Sequence, residues 1–103
     1  MKVQNKQQVF SLLQTHHGEL RGLGVKRCGV FGSFVRNEPQ AQSDVDILVE
    51  FEANEKSFDH FMRLSFFLED LFGRKVDLIT PESLSPHIGP HILREVEYAT
   101  ISA

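Results

Sequence analysis

The stretch GSFVRNEPQAQSDVD, residues 32–46, contains the most informative pattern in this chain, and the other predicted elements are arranged around it. It opens with Gly32-Ser33 and closes with Asp44 and Asp46 at the head of an apolar run. Because residues i and i+2 of a strand share one face, the two acids are expected to point the same way, with Cα atoms roughly 7 Å apart. Carboxylates at that separation can bracket two divalent cations about 4 Å apart, as in phosphoryl transfer. The stretch therefore predicts a phosphate-and-metal site.

The length and composition of the chain suit one globular domain. It has 103 residues, of which 41% are hydrophobic, with nine Phe and no Trp. We expect a single core and no separate substrate domain. The formal net charge is −3 and the pI is about 5.9. Because no excess of basic residues is present to attract a phosphate backbone, a nucleic acid is disfavoured as the main substrate.

Cysteine usage and hydropathy bear on the cellular compartment. Cys28 is the only cysteine, so no intrachain disulfide can form, and this favours a reducing environment. No apolar stretch approaches the roughly 20 residues that span a bilayer, and the first residues lack the apolar core of a signal peptide. We therefore expect a cytoplasmic protein in which Cys28 is a buried, small apolar residue of a strand.

Hydrophobic periodicity predicts alternating helices and strands. A first helix is expected between Asn5, a typical N-cap residue, and Gly18, with one more turn at 19–23. Strands are expected at 25–31, 44–51 and 76–80, a short helix at 34–37, a strongly amphipathic helix between Ser57 and Gly73, a helical turn at 81–84 and a last helix at 92–98. The order α-β-α-β-α-β-α is typical of an α/β or α+β fold with a small sheet.

Three acids lie in or beside these apolar strands: Asp44, Asp46 and Asp77. An ionised carboxylate in such a position is costly unless it is paired or binds a metal, so the three predict one shared site. Oxygen ligands with open positions favour Mg²⁺ or Mn²⁺ bound together with substrate phosphates. Two alternatives stay open, because Asp44 could simply begin the strand and Asp77 could pair with Arg74 or Lys75.

Gly32-Ser33 lies at the predicted junction between a strand and the short helix. Glycine permits close approach of another group, and the unpaired amides at a helix start can bind an anion such as phosphate. The hydroxyl of Ser33 adds a donor. Arg36 follows within one turn and, from its position alone, can be a solvent-exposed cation of that helix.

Gly32-Ser33, ten intervening residues, Asp44-Val45-Asp46 and the later Asp77 together resemble the nucleotidyltransferase superfamily of the DNA polymerase β type. Because the chain is small, it is most similar to the minimal nucleotidyltransferases (MNT) of that superfamily, which are the antitoxin members of HEPN/MNT toxin–antitoxin modules. The resemblance runs from the strand at 25–31 into the closing helix. It implies that residues 1–103 form a single nucleotidyltransferase domain, in which a mixed sheet carries the acids and helices cover it.

The resemblance also implies a role for each residue of the pattern. Asp44 and Asp46 would hold two Mg²⁺ ions, or Mn²⁺ in their place, that bind the triphosphate of ATP. Asp77 would help to hold the catalytic ion and assist deprotonation of the acceptor hydroxyl. Gly32 and Ser33 would cradle the β and γ phosphates through backbone amides and the serine hydroxyl.

The resemblance is less complete in the segment that follows the Gly32-Ser33 turn. Arg36 matches an arginine that often follows this turn in the family, where it could face phosphates. Asn37-Glu38-Pro39 departs from the family, whose members commonly have Gly after that arginine. Asn tolerates the left-handed conformation that Gly would supply, so the chain is still expected to turn here.

These implications lead to one leading hypothesis and two alternatives. The leading hypothesis is Mg²⁺-dependent transfer of AMP from ATP, with release of pyrophosphate, to a tyrosine hydroxyl of a cognate HEPN ribonuclease toxin, which would neutralise the toxin. The first alternative is a non-catalytic antitoxin that occludes the toxin by binding, in a hetero-oligomer. The second is an aminoglycoside-type transferase that modifies a small hydroxyl compound. Because all three acids are present, the sequence favours an enzyme.

Overall fold

The computed structural model describes residues 2–101, which form a mixed sheet of four strands accompanied by four α-helices. The elements in chain order are α1 (Lys6–Thr15), α2 (His17–Gly22), β1 (Val25–Phe31), β2 (Val45–Phe51), α3 (Phe58–Phe72), β3 (Val76–Ile79), a 3-10 turn (Pro81–Ser83), α4 (Gly89–Glu95) and β4 (Glu97–Tyr98). The strand order is β3-β2-β1-β4. Strands β2 and β3 are parallel, whereas β1 is antiparallel to both of its neighbours. The predicted α+β class is confirmed.

Helix α3 is the connection between the parallel strands β2 and β3, and both of its predicted ends are confirmed. Ser57 caps the first turn by accepting a hydrogen bond of 3.1 Å from the amide of His60. Gly73 ends the helix with a φ of 66°, a left-handed conformation that glycine adopts without strain. Between these caps, the side chains that recur at helical spacing are buried, namely Leu64, Leu68 and Phe72.

One apolar core joins α1, α3 and the sheet. Leu13 of α1, Leu68 of α3, and Ile47 and Val49 of β2 belong to it. Leu48, between the last two, is outside this core, yet none of the three consecutive residues of β2 has exposed surface. Because successive residues of a strand point to opposite faces, their burial means that β2 is covered on both faces, as its unbroken apolar run predicts. No helix within residues 2–101 combines the length and the apolar character that crossing a bilayer requires.

The short helix predicted at residues 34–37 does not form, and residues 32–37 instead make a series of turns. Only two hydrogen bonds of helical type occur there, from the amide of Arg36 to Gly32 and from the amide of Asn37 to Phe34, both 3.2 Å. Asn37 has a φ of 59°, the left-handed conformation predicted for it, and this ends the turn. A single turn is too short to repay the cost of helix nucleation.

The chain departs from prediction at three other places. Helix α1 ends at Thr15, and α2 starts at His17, before Gly18. Strand β2 begins at Val45, so that Asp44 lies just outside it. The last helix is α4, and the residues after it form β4 rather than more helix. Strand β4 pairs with the edge of β1 that β2 leaves open, and the amide of Ala99 extends this pairing by bonding the carbonyl of Cys28 at 2.9 Å.

Candidate active site

The sheet brings the predicted acids together at one end. Asp46 of β2 and Asp77 of β3 are direct partners in the parallel pairing, and neighbouring strands lie about 4.8 Å apart. Asp44 precedes Asp46 by two residues, immediately before β2. On the other side of β2, Asp46 is opposite Phe31, the last residue of β1. The turn that begins at Gly32 therefore starts beside the same carboxylate.

Gly32 contacts the Asp46 carboxylate so closely that no other residue fits. Its φ is 76°, and a Cβ atom placed on it would lie 1.9 Å from Oδ2 of Asp46 and 2.9 Å from Cγ. Both the backbone conformation and the space therefore require glycine. The sequence predicts that glycine permits a close approach of the backbone at this position, and in the structure the group against Gly32 is the carboxylate of Asp46, one of the predicted acids.

Three consecutive amides follow Gly32 without an acceptor. Among the described residues, no carbonyl or side-chain oxygen accepts from the amides of Ser33, Phe34 or Val35, whereas the next three amides are all hydrogen-bonded. Ser33 is half-buried. Unpaired amides in succession after a strand are the usual means by which a backbone binds an anion. The turn thus retains the donors that the predicted helix start would have supplied.

Asp46 carries an unfavourable charge in this arrangement. Burial, followed by the negative charges of Asp77, Asp44 and Glu95, raises the pKa of the Asp46 carboxyl from 3.8 to about 6, and Arg36 only partly opposes this. Carboxylates that repel one another at a half-buried position are stabilised by a bound cation. The electrostatics of the site therefore favour a positively charged ligand.

The donor set of the site fits Mg²⁺ or Mn²⁺ bound jointly with a nucleotide. All three acids offer carboxylate oxygens, the ligands that these cations prefer, and Mg²⁺ is commonly held by one or two carboxylates plus substrate phosphates. Within residues 2–101, no three side chains of His, Cys, Asp or Glu converge closely enough to hold an ion by themselves. The arrangement therefore suits an ion whose coordination is completed by phosphate oxygens.

Arg36 is solvent-exposed, and it also forms ion pairs. Its guanidinium donates a hydrogen bond to the carboxylate of Glu95, the last residue of α4, and its Nε lies 3.6 Å from the carboxylate of Glu38. These contacts raise the pKa of the Arg36 guanidinium, with the hydrogen bond to Glu95 contributing most. The charge of Glu95 also raises the pKa of Asp46. The Arg36–Glu95 ion pair therefore lies beside Asp44, Asp46 and Asp77, which we call the acid cluster.

Glu95 is the residue of this region that the sequence analysis misses. One signal points to it, because an acid in the last turn of a helix is disfavoured by the helix dipole unless a cation compensates it. The ion pair considered between Asp77 and Arg74 or Lys75 does not form among the described residues. Asp77 is exposed, and the Arg74 guanidinium binds backbone carbonyls instead.

Known proteins share this sequence and this fold. A family model for the nucleotidyltransferase domain matches residues 13–102. The chain is 46% identical over 93 residues to the protein adenylyltransferase MntA of Thermococcus cleftensis, and the alignment covers 89% of this chain and 93% of that protein.

Two solved structures share the fold. One described as a minimal nucleotidyltransferase superposes with a TM-score of 0.78 at 30% identity, over 91% of this chain and 95% of the other. A chain from the structure of a tri-AMPylated Shewanella oneidensis HEPN toxin in complex with MNT antitoxin superposes with a TM-score of 0.54, over 82% of this chain and 69% of the other. At 19% identity, this second likeness shows the fold alone. From the family model and the relative in Thermococcus, we conclude that the chain belongs to the nucleotidyltransferase domain family and is a homologue of protein adenylyltransferases.

Proposed function

We propose that this protein transfers AMP from ATP to a tyrosine hydroxyl of a cognate HEPN ribonuclease toxin, in a reaction that requires Mg²⁺. The observation that carries the proposal is the pairing of Asp46 with Asp77 in adjacent parallel strands, with Gly32 packed on the Asp46 carboxylate. The turn that would bind phosphate and the acids that would hold the metal therefore lie close enough to act together. The identity to a protein adenylyltransferase supports AMP as the group transferred and a protein as the acceptor.

The turn after β1 would bind the nucleotide. The unpaired amides of Ser33, Phe34 and Val35 and the Ser33 hydroxyl would donate to oxygens of the β and γ phosphates. Asp44 and Asp46 would hold Mg²⁺ together with the triphosphate, and Asp77 would help to hold the catalytic ion. Bound Mg²⁺ supplies neutralisation of the charge that develops on the phosphate oxygens.

The acceptor hydroxyl would attack the α phosphorus on the side of Asp77. A bond forms between the tyrosine oxygen and phosphorus, the bond from phosphorus to the bridging oxygen of the β phosphate breaks, and pyrophosphate leaves. Asp77 is exposed, so that it is accessible to an acceptor on a second protein and can take the hydroxyl proton. In-line positioning and fixed charges supply most of the rate enhancement in such transfers.

A HEPN toxin is the proposed acceptor because of two similarities. The relative in Thermococcus bears the name protein adenylyltransferase, and a protein of the same fold has been solved with an AMPylated HEPN toxin. Tyrosine is proposed as the modified residue from the resemblance to the antitoxin branch of the family. Modification of the toxin would suppress its ribonuclease activity.

Transfer of label tests the proposal. The protein is incubated with Mg²⁺, ATP labelled in its α phosphate and a HEPN protein from the same genome, and the label on each protein is measured. We expect labelled HEPN protein, release of pyrophosphate, and loss of transfer by at least about 100-fold in an Asp44→Ala/Asp46→Ala variant. The control variant is Asp70→Ala, which removes an exposed acid of α3 and is expected to transfer normally.

Three outcomes would contradict the proposal. Label on small hydroxyl compounds without any protein acceptor would indicate a small-molecule transferase. Equal suppression of the ribonuclease by the wild type and the Asp44→Ala/Asp46→Ala variant, with no label on the HEPN protein, would indicate an antitoxin that acts by binding. Label on serine or threonine of the HEPN protein would overturn the choice of tyrosine alone.

A further inference from the structure

Among the described residues near the acid cluster, Arg74 makes the most side-chain hydrogen bonds, although Arg74 is not a member of the cluster. It follows Gly73 at the end of α3 and comes two residues before β3. Its Nε donates to the carbonyl of Val3 at 2.7 Å. Its Nη1 lies within hydrogen-bonding distance of three further carbonyls, those of Gln40 at 3.1 Å, Ala41 at 3.1 Å and Ser43 at 3.0 Å.

Three of these four carbonyls belong to residues 38–44, the loop that ends in Asp44. Ser43, which accepts one of the bonds, immediately precedes that acid. Asp44 is exposed and lies outside β2, and the pairing of β2 with β3 begins only at the next residue, Val45. The hydrogen bonds from Arg74 therefore fix the chain at the point where the sheet no longer does.

Arg74 also contacts the turn on the other side of the loop. Its guanidinium lies 5.1 Å from the ring centroid of Phe34, a side chain with no exposed surface in the turn after Gly32-Ser33. A flat guanidinium can stack on a ring and bond several acceptors in its own plane at once, which a lysine ammonium on a flexible stem does not reproduce. The contacts at position 74 therefore favour arginine over lysine, although both carry a positive charge.

The backbone next to Arg74 ties β2 to β3. The amide of Val45 donates to the carbonyl of Lys75 at 3.0 Å, and Asp77 follows two residues later. One short segment therefore holds Asp44 through the Arg74 side chain and leads directly into the strand that carries Asp77. A cavity of about 170 Å³ lies between Asp44 and this segment, and Lys75 lines it as well.

We propose that Arg74 is a positioning residue that holds Asp44 in register with Asp46 and Asp77 without touching the substrate. The inference rests on the proposed function, because it assigns Arg74 a task in assembling the site where Mg²⁺ and ATP would bind. Without the guanidinium, residues 40–44 keep the hydrogen bond from Lys2 to Ala41 and the local turn between Gln40 and Ser43 but lose their side-chain hydrogen bonds to the segment before β3, so that Asp44 spends less time beside the other two acids. Outer residues that orient metal ligands typically change metal affinity by about 10-fold to 100-fold when they are replaced.

The test compares Arg74→Lys with Lys75→Ala. The first keeps the charge and removes the planar donor, whereas the second removes an exposed charge that lines the same cavity. Mn²⁺ binding in the presence of a non-hydrolysable ATP analogue is measured by electron paramagnetic resonance, and amide hydrogen exchange is measured without any ligand. Thermal unfolding checks that both variants are folded.

We expect Arg74→Lys to weaken Mn²⁺ binding by about 10-fold or more and to speed exchange of the Ser43 and Val45 amides. The amides in the middle of α3 should exchange as in the wild type, and Lys75→Ala should stay within about twofold of the wild type in Mn²⁺ affinity. Wild-type Mn²⁺ affinity and exchange in Arg74→Lys would overturn the inference, as would equal weakening in Lys75→Ala. If Mn²⁺ fails to bind the wild type, the proposed function fails and the inference fails with it.

Discussion

At the scale of single residues, Gly32 has the narrowest tolerance in the candidate site. In Gly32→Ala, the new Cβ would lie 1.9 Å from the Asp46 carboxylate at a φ of 76°, so either the turn or the acid must move. We expect a loss of stability of about 1–3 kcal/mol and a loss of AMP transfer of at least about 100-fold. Thermal unfolding and label transfer measure the two effects.

Gly18→Ala is the matched control for Gly32→Ala. Gly18 lies within α2 and has open space around it, so alanine there should stabilise the chain by about 0.5–1 kcal/mol and leave transfer unchanged. If the two alanine variants have the same stability and the same rate of AMP transfer, the close contact between Gly32 and Asp46 is not needed for function.

The raised pKa of Asp46 predicts how the metal-free protein responds to pH. Between pH 3.8 and about pH 6, Asp46 is protonated to a larger extent in the folded chain than in the unfolded chain. The free energy of unfolding should therefore fall as the pH rises through this window. Asp46→Asn removes this contribution, and we expect it to stabilise the metal-free protein at pH 7 by about 1 kcal/mol, after allowance for solvent screening of a half-buried group.

Urea unfolding of both proteins in chelator, at pH 4 and at pH 7, measures this effect. The wild type should lose more stability than Asp46→Asn between the two values. A parallel change in the two proteins would mean that Asp46 does not carry the charge imbalance.

At the scale of elements, the local sequence predicts what local interactions determine. Ser57 and Gly73 mark both ends of α3, because an N-cap side chain and a left-handed glycine act within one turn of the helix. Strand β4 has no such local signal. Its two residues are a strand only because β1, far away along the chain, leaves an edge open, and such pairing cannot be read from nearby residues.

In the candidate site, too, some features could be predicted from the local sequence and others depend on contacts between distant segments. Asp46 and Asp77 could be inferred as acids among the apolar residues of strands, although of the three acids only Asp46 is half-buried, whereas Asp77 is exposed and Asp44 lies outside β2. The contact between Gly32 and Asp46 could not, because it depends on how β1 and β2 are aligned. Nor could the ion pair of Arg36 with Glu95, which requires α4 to end beside the turn.

Cys28 of β1 belongs to the apolar core, and its reactivity tests how tightly that core is closed. The thiol is 2% exposed, and burial raises its pKa to about 12. Because the thiolate is the reactive form, we expect a thiol reagent at pH 8 to label the folded protein at least about 1,000-fold more slowly than the protein unfolded in urea. Fast labelling of the folded protein would show instead that the core around Cys28 opens without complete unfolding.

At the scale of the whole molecule, the candidate site joins segments that only the folded sheet unites, so a ligand bound there should stabilise the entire fold. A non-hydrolysable ATP analogue with Mg²⁺, at about 100 times its Kd, is expected to add ~2.7 kcal/mol to the free energy of unfolding. For a domain of this size, the Tm should rise by at least about 10 °C. Differential scanning calorimetry measures this shift.

Two controls accompany that measurement. Removal of Mg²⁺ with a chelator should abolish most of the rise in Tm, and so should the Asp44→Ala/Asp46→Ala variant. A full shift in the absence of divalent cations would indicate that the nucleotide binds without the acids and elsewhere on the surface.

The return of the chain from α4 to β1 also bears on protein synthesis. The turn at Gly32 leaves the ribosome well before Asp77, and Glu95, which pairs with Arg36 of that turn, leaves later still. At about 5–20 residues per second, translation separates the appearance of Gly32 from that of Glu95 by roughly 3–12 s. Until Asp77 has been made, the nascent chain contains the turn and the first two acids but lacks the third, and the contact between Arg36 and Glu95 forms last, so the candidate site is completed late in synthesis.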